Sequence, residues 1–127
     1  MAIGLDHTIV SCRDNLASAL FLANLLGRGD PVHAFGTFQV VELDNHVSLD
    51  FMTVTANVPA QHYAFLVSED EFTAIFGRIQ EQGLDYWADP RRTKAGRINR
   101  NDGGRGVYWQ DPDGHLLEII TRPYGSG

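Results

Sequence analysis

The sequence predicts an α+β fold built from two matched modules, each a strand, a helix and then two or three strands. Three observations lead to it. Two short apolar runs are each headed by a histidine, "LDHTIVSC" at 5–12 and "HYAFLVS" at 62–68. Each is followed by an apolar-striped segment with helix punctuation at both ends. Each half then closes on strand-like runs around a tight turn.

In the first half, Asp14 or Asn15 caps a helix over 14–27, "DNLASALFLANLLG". Leu16, Leu20, Leu22, Ala23 and Leu26 form its apolar stripe, and Gly27 ends it. "FQVVEL" at 38–43 and "VSLDFMT" at 47–53 are strands joined by the turn "DNH". In the second half, "EDEFTAIFGRIQEQG" at 69–83 is a helix. Acids fill its first turn, Phe72, Ile75, Phe76 and Ile79 share a face, and Gly83 closes it. "GVYWQ" at 106–110 and "HLLEIIT" at 115–121 are strands around the turn "DPDG". Such units cannot bury their faces alone, so the two associate, with helices outside and a curved mixed sheet inside. The 127 residues suit one domain, with modules at about 5–55 and 60–123.

Composition narrows the function. The net charge of −6 argues against a nucleic-acid binder. No apolar run approaches the roughly 20 residues that span a bilayer, and "MAIGLDHTIV" lacks a secretory pattern. Cys12 is the single cysteine, so no intrachain disulfide forms and a cytoplasmic setting is expected. On an apolar strand it reads as a buried small residue.

The halves also match in polar groups. Aligned on their first strands, His7 matches His62; aligned on "LDFMT" and "LEIIT", Asp50 matches Glu118. The spacings are 50 − 7 = 43 and 118 − 62 = 56, and the longer loop of the second half accounts for the difference. Strand alternation groups Asp50 with Ser48 and Met52, and Glu118 with Leu116 and Ile120. A carboxylate among apolar neighbours on a buried strand requires a partner, a proton or a cation. Two imidazoles with one or two carboxylates suit a divalent first-row metal, and two histidines with one carboxylate are also a set compatible with iron. Singly, each residue reads more simply as a satisfied structural group or a solvent-facing one; matched positions favour a site. His46 and His115 also match, just after the turns, and read as turn-edge residues rather than ligands.

"LDHTIV", "QHYAFLV" and "DPDGHLLEI" resemble the landmarks of the vicinal oxygen chelate superfamily. This superfamily includes glyoxalase I, fosfomycin-resistance thiol transferases, extradiol dioxygenases and bleomycin-resistance proteins. The resemblance spans essentially the whole chain, and "DPDGHLLEI" is its most specific part. It implies paired βαβββ modules forming a cup, a divalent metal (zinc, nickel, manganese or iron) at the base, and a homodimer. Carried over, His7, His62 and Glu118 take metal positions. Asp50 stands where glyoxalase I has a ligating glutamate, and is a fourth ligand, a catalytic base or a group that supports the ligands from behind. Tyr108 matches a tyrosine of the fosfomycin enzymes. The first helix departs from the family pattern, with Phe21-Leu22 where a tyrosine is common.

Six of the ten basic residues lie in 91–105. This loop is either a solvated, mobile segment or a lid that draws an anion into the cup, through Arg92, Lys94, Arg97 and Arg105. Trp109 is a further candidate substrate contact; for Trp87, Phe35, Phe38 and Met52, core packing is the default. Two functions stay open. One is a metal-dependent enzyme that chelates a small oxygenated or anionic substrate for isomerase or lyase chemistry, thiol transfer or ring cleavage. The other is a binding protein of the bleomycin-resistance type. Neither calls for a membrane.

Overall fold

The computed structural model describes residues 2–34 and 36–127, so Phe35 lies outside the described residues. It divides into two compact units, Met1–Pro59 and Ala60–Gly127.

The first unit contains β1 (His7–Cys12), α1 (Asn15–Leu26), β2 (Val32–Ala34), β3 (Phe38–Glu42) and β4 (Ser48–Thr53). Its sheet runs in the order β1-β4-β3-β2, with β1 parallel to β4 and the other pairs antiparallel. The second unit contains β5 (His62–Leu66), α2 (Glu69–Glu81), β6 (Tyr86–Trp87), β7 (Gly106–Gln110) and β8 (Leu116–Ile120). Its sheet repeats the plan in the order β5-β8-β7-β6, with β5 parallel to β8. Among the described residues, two four-stranded mixed sheets with one α-helix each make the α+β fold that the repeat predicts. Each half has one short strand, β2 or β6, that sequence periodicity alone did not mark.

Local chemistry explains the helices. Asp14 caps α1 by accepting from the Ala17 N–H, and Gly27 ends it with φ 71°. Around α2, Ser68 and Glu71 form a reciprocal capping box, and Glu69, Asp70 and Glu71 face the positive end of the helix dipole. The face of α1 differs from the expected stripe. It buries Ser18, Ala19, Leu22, Ala23 and Leu25, while Leu16 is exposed. A helix apolar nearly all round has little periodic signal, and small residues on the buried face let it pack against β1, β3 and β4. By contrast, α2 buries Phe72, Ile75 and Ile79, as its stripe predicts.

In each sheet one set of alternating residues forms the core. Val10, Cys12, Val41, Leu49 and Phe51 are buried in the first, and Phe65, Val107, Trp109, Leu117 and Ile119 in the second. Phe76 on α2 meets Tyr86 edge-on at 5.0 Å, and Tyr86 pairs with Trp109, so α2 lies on the Trp109 side of its sheet. Asp50 and Glu118 belong to the opposite, helix-free faces. Their registers are equivalent: Asp50 pairs with Ile9 and Val40, Glu118 with Ala64 and Tyr108. Among the described residues, no helix is long and apolar enough to cross a membrane.

Candidate metal centre

The second unit brings two of the expected ligands together. Ala64 pairs with Glu118, and His62 lies two residues earlier on β5, so His62 and Glu118 are diagonal neighbours on one face. His62 Nε2 stands 3.0 Å from Glu118 Oε1. Glu118 is fully buried (0% exposed), whereas the His62 side chain is 44% accessible. The second carboxylate oxygen, Oε2, accepts a hydrogen bond from the Tyr124 hydroxyl. Tyr108, the cross-strand neighbour of Glu118, places its hydroxyl 3.1 Å from that of Tyr124. Burial, reinforced by hydrogen bonds to Tyr124 and Glu118, holds the Tyr108 phenol far above its ordinary pKa; burial and Glu118 raise Tyr124 as well. Both phenols are therefore protonated across the neutral range.

The strand bearing His62 is tied from below. His115 is fully buried, and its Nδ1 accepts the Gln61 N–H at 2.9 Å, while the Leu116 N–H donates to the Gln61 carbonyl. Asp111 closes the "DPDG" turn by accepting from the Asp113 and His115 backbone, and burial raises its pKa. The histidine after that turn is thus an internal brace.

In the first unit, His7 is exposed and its Nδ1 lies 2.7 Å from Asp6 Oδ2. That hydrogen bond is the main cause of its raised pKa. In the neutral tautomer with Nδ1–H donated to Asp6, Nε2 carries the free lone pair, the arrangement common for metal-binding histidines. Asp50 is 7% exposed, and its Oδ1 accepts from the Ser48 hydroxyl at 2.7 Å.

Does the second unit fit a divalent metal? Two donors about 2.1 Å from a shared ion and about 90° apart are separated by about 3 Å. The His62–Glu118 spacing matches. Glu118 is a buried carboxylate whose one ion-pair partner among the described residues is His62, so a cation would balance its charge. The pair fits a first-row divalent ion in donor type and separation. Among the described residues no three His, Cys, Asp or Glu side chains cluster tightly enough to form a complete set.

The basic loop is laced down rather than free. Trp87 bridges to Ala95, and Asn99 to Gly106. Asp89 accepts from the Thr93 hydroxyl and from the Thr93 and Lys94 backbone. Arg105 is committed to α2, donating to Glu69 Oε1 and Thr73 Oγ1 with its guanidinium 4.4 Å from the Phe72 ring centre. Arg92 lies 6.0 Å from the Trp87 ring centre; Trp87 pairs with Tyr108 and so shares the Glu118 face. Lys94 and Arg97 are exposed. Trp109 is fully buried on the other face of β7, with no hydrogen-bond partner for its indole N–H among the described residues.

Tyr124 and Asp6 were not anticipated as site residues. Asp6 adjoins His7, and a carboxylate beside a histidine is a readable signal. Tyr124 lies beyond the last strand in "RPYGS", where no periodicity indicates a direction.

No protein-family model matches the chain. It is 62% identical to a solved structure described as Oxidase ChaP-H1, covering 98% of this chain and 99% of that one with TM-score 0.94. Oxidase ChaP-H2 is 57% identical, covering 100% of this chain and 99% of that one with TM-score 0.96. Glutathione transferase FosA of Serratia marcescens is 30% identical over 127 residues, covering 94% of this chain and 81% of FosA. These relationships, with the two mixed-sheet units and the equivalent registers of Asp50 and Glu118, identify the chain as a member of the vicinal oxygen chelate superfamily.

Proposed function

We propose that this chain is an iron-dependent oxidase of the vicinal oxygen chelate superfamily, acting on a small substrate with adjacent oxygen atoms. The observation that carries the reading is the His62–Glu118 pair, 3.0 Å apart on a buried carboxylate. Two relatives near 60% identity described as oxidases favour redox chemistry over the thiol transfer suggested by FosA at 30%. His62 and Glu118 are the proposed protein ligands in the second unit; in the first unit His7 is proposed as a ligand by its matched strand position. Imidazole and carboxylate donors with open positions suit a non-haem ferrous ion. When bound, iron supplies a redox partner for dioxygen and a Lewis acid for two neighbouring substrate oxygens.

The chain's own groups then have distinct tasks. Asp6 holds the His7 ring and its tautomer. Tyr108, kept protonated by burial, offers a hydroxyl to a developing oxyanion. Asp50, with one oxygen engaged by Ser48, is proposed as a base or a further ligand. Arg92 and the exposed Lys94 and Arg97 attract an anionic substrate; Arg105 is proposed to support that loop through α2. A homodimer is part of the proposal, as is a cytoplasmic setting for a chain whose one cysteine, Cys12, is buried with its thiol on the Met52 carbonyl.

The test is iron content and dioxygen consumption with a panel of small vicinal diols, hydroxyketones and catechols. Wild type should take up about one iron per chain and consume dioxygen with at least one substrate class. His62→Ala and Glu118→Ala should each lose the metal. A protein that binds ligands from the panel but no divalent ion would overturn the oxidase reading in favour of a sequestering protein.

A further inference from the structure

We propose that Tyr124 is a positioning residue that divides the work of the Glu118 carboxylate, holding Oε2 so that Oε1 is presented to the metal. The inference rests on the metal reading above and adds a residue to it from a segment outside both sheets.

The geometry comes from the stretch after β8. Tyr124 is 60% exposed, yet its hydroxyl donates to Oε2 of the fully buried Glu118. The two carboxylate oxygens therefore have separate partners, Tyr124 on Oε2 and His62 at 3.0 Å from Oε1. The segment is fastened independently of that hydroxyl. The Gly125 N–H donates to Asp102 Oδ1 at 3.2 Å, and Arg122 Nη2 donates to the Ser126 carbonyl at 2.9 Å. The Ser126 hydroxyl closes the turn on the Pro123 carbonyl at 2.6 Å.

The consequence follows from carboxylate chemistry. A free carboxylate binds a metal through one oxygen or both. One whose second oxygen accepts a hydrogen bond is biased to one-oxygen binding, which keeps a further position open. Hydrogen bonds to ligating carboxylates orient them and tune affinity, and their loss typically weakens metal binding about 10- to 100-fold. Without the Tyr124 hydroxyl, Oε2 loses its donor and Glu118 gains freedom to bind through both oxygens.

The test compares wild type, Tyr124→Phe and Ser126→Ala in the full chain, titrated with Co(II) as a spectroscopic probe. Near-ultraviolet circular dichroism and the melting temperature first establish that each variant is folded. Tyr124→Phe should bind Co(II) about 10- to 100-fold more weakly, with a changed visible d–d spectrum that reports a changed coordination number. Ser126→Ala, which removes the hydroxyl's bonds to the Pro123 carbonyl and Arg122 Nε but leaves the Ser126 N–H on the Pro123 carbonyl to hold the turn, should keep wild-type affinity and spectrum. Wild-type behaviour in Tyr124→Phe would overturn the inference and leave the metal reading standing. The same loss in Ser126→Ala would also overturn it, by assigning the effect to order in the segment. Failure of wild type to bind Co(II), with His62→Ala and Glu118→Ala indistinguishable from it, would overturn the metal reading and this inference together.

Discussion

At the scale of single residues, the site depends on how each polar atom is satisfied. Glu118 is buried with a histidine and two phenols and has no fixed cation of the Lys or Arg type beside it among the described residues, so it remains available to a bound cation. His115 shows that a histidine next to a turn can be a structural brace. Its ring accepts from Gln61 immediately before His62, and Tyr63 packs edge-on against it at 5.9 Å. Replacing His115 by alanine removes the acceptor and opens a cavity, which should lower stability by about 2–4 kcal/mol. Chemical denaturation checks that magnitude. Metal uptake should weaken as well, because the backbone leading into His62 loses its tie. Metal titration of the folded fraction reads that second effect.

At the scale of elements, the loop between β6 and β7 behaves as a built structure. Asp89 organises its first turn, and the Thr93 hydroxyl together with the Lys94 and Thr93 N–H groups lowers its pKa. The sign of the linkage follows. A carboxylate whose folded pKa is depressed contributes stability that is present above its unfolded value, near 3.8, and is lost as pH falls through the lower folded value. Asp89→Ala should therefore melt below wild type at neutral pH, and the gap should close in acid. Melting temperatures of the two proteins from pH 7 down to about pH 2 test this; a gap independent of pH would remove Asp89 ionisation from the account. On the far side of the loop, Arg105 fastens to the first turn of α2 through Glu69 and Thr73. The exposed cations Arg92, Lys94 and Arg97 thus project from an anchored frame rather than a slack one.

At the scale of the whole molecule, β1 and β5 are edge strands of their sheets. Both carry exposed apolar residues, Ile9 at 48% and Leu66 at 62%. Exposed edges bearing apolar side chains invite pairing or cover. The proposed homodimer predicts a solution mass of twice the chain's 14.1 kDa by light scattering. Aspartate substitutions at Ile9 and Leu66 should shift the mass toward one chain. A wild-type mass of one chain at micromolar concentration would count against the dimer.

Much of the fold was legible in the sequence because the signals are local. Strand alternation has a fixed period, so it assigned Asp50 and Glu118 to the faces opposite Leu49 and Leu117 before any pairing was known. The caps of α1 and α2 likewise involve residues within a few positions of each other. The family landmarks "LDHTIV", "QHYAFLV" and "DPDGHLLEI" marked the histidines and the last-strand acid. Other features depend on partners distant in sequence. Strands β2 and β6 span three and two residues and exist only through the ladders of β3 and β7. The buried face of α1 was set by what packs against it, since its own residues are apolar almost all round. Arg105 was read as part of an anion-attracting loop, and only the approach of α2 shows where its guanidinium is engaged. Tyr124 lies past the last periodic element, and its hydroxyl reaches Glu118 from a backbone turn closed by the Ser126 N–H on the Pro123 carbonyl. The sequence determined the residue types and the faces that carry them; tertiary structure decided which oxygen of Glu118 meets which partner, because hydrogen-bond geometry is a property of atoms brought together in space.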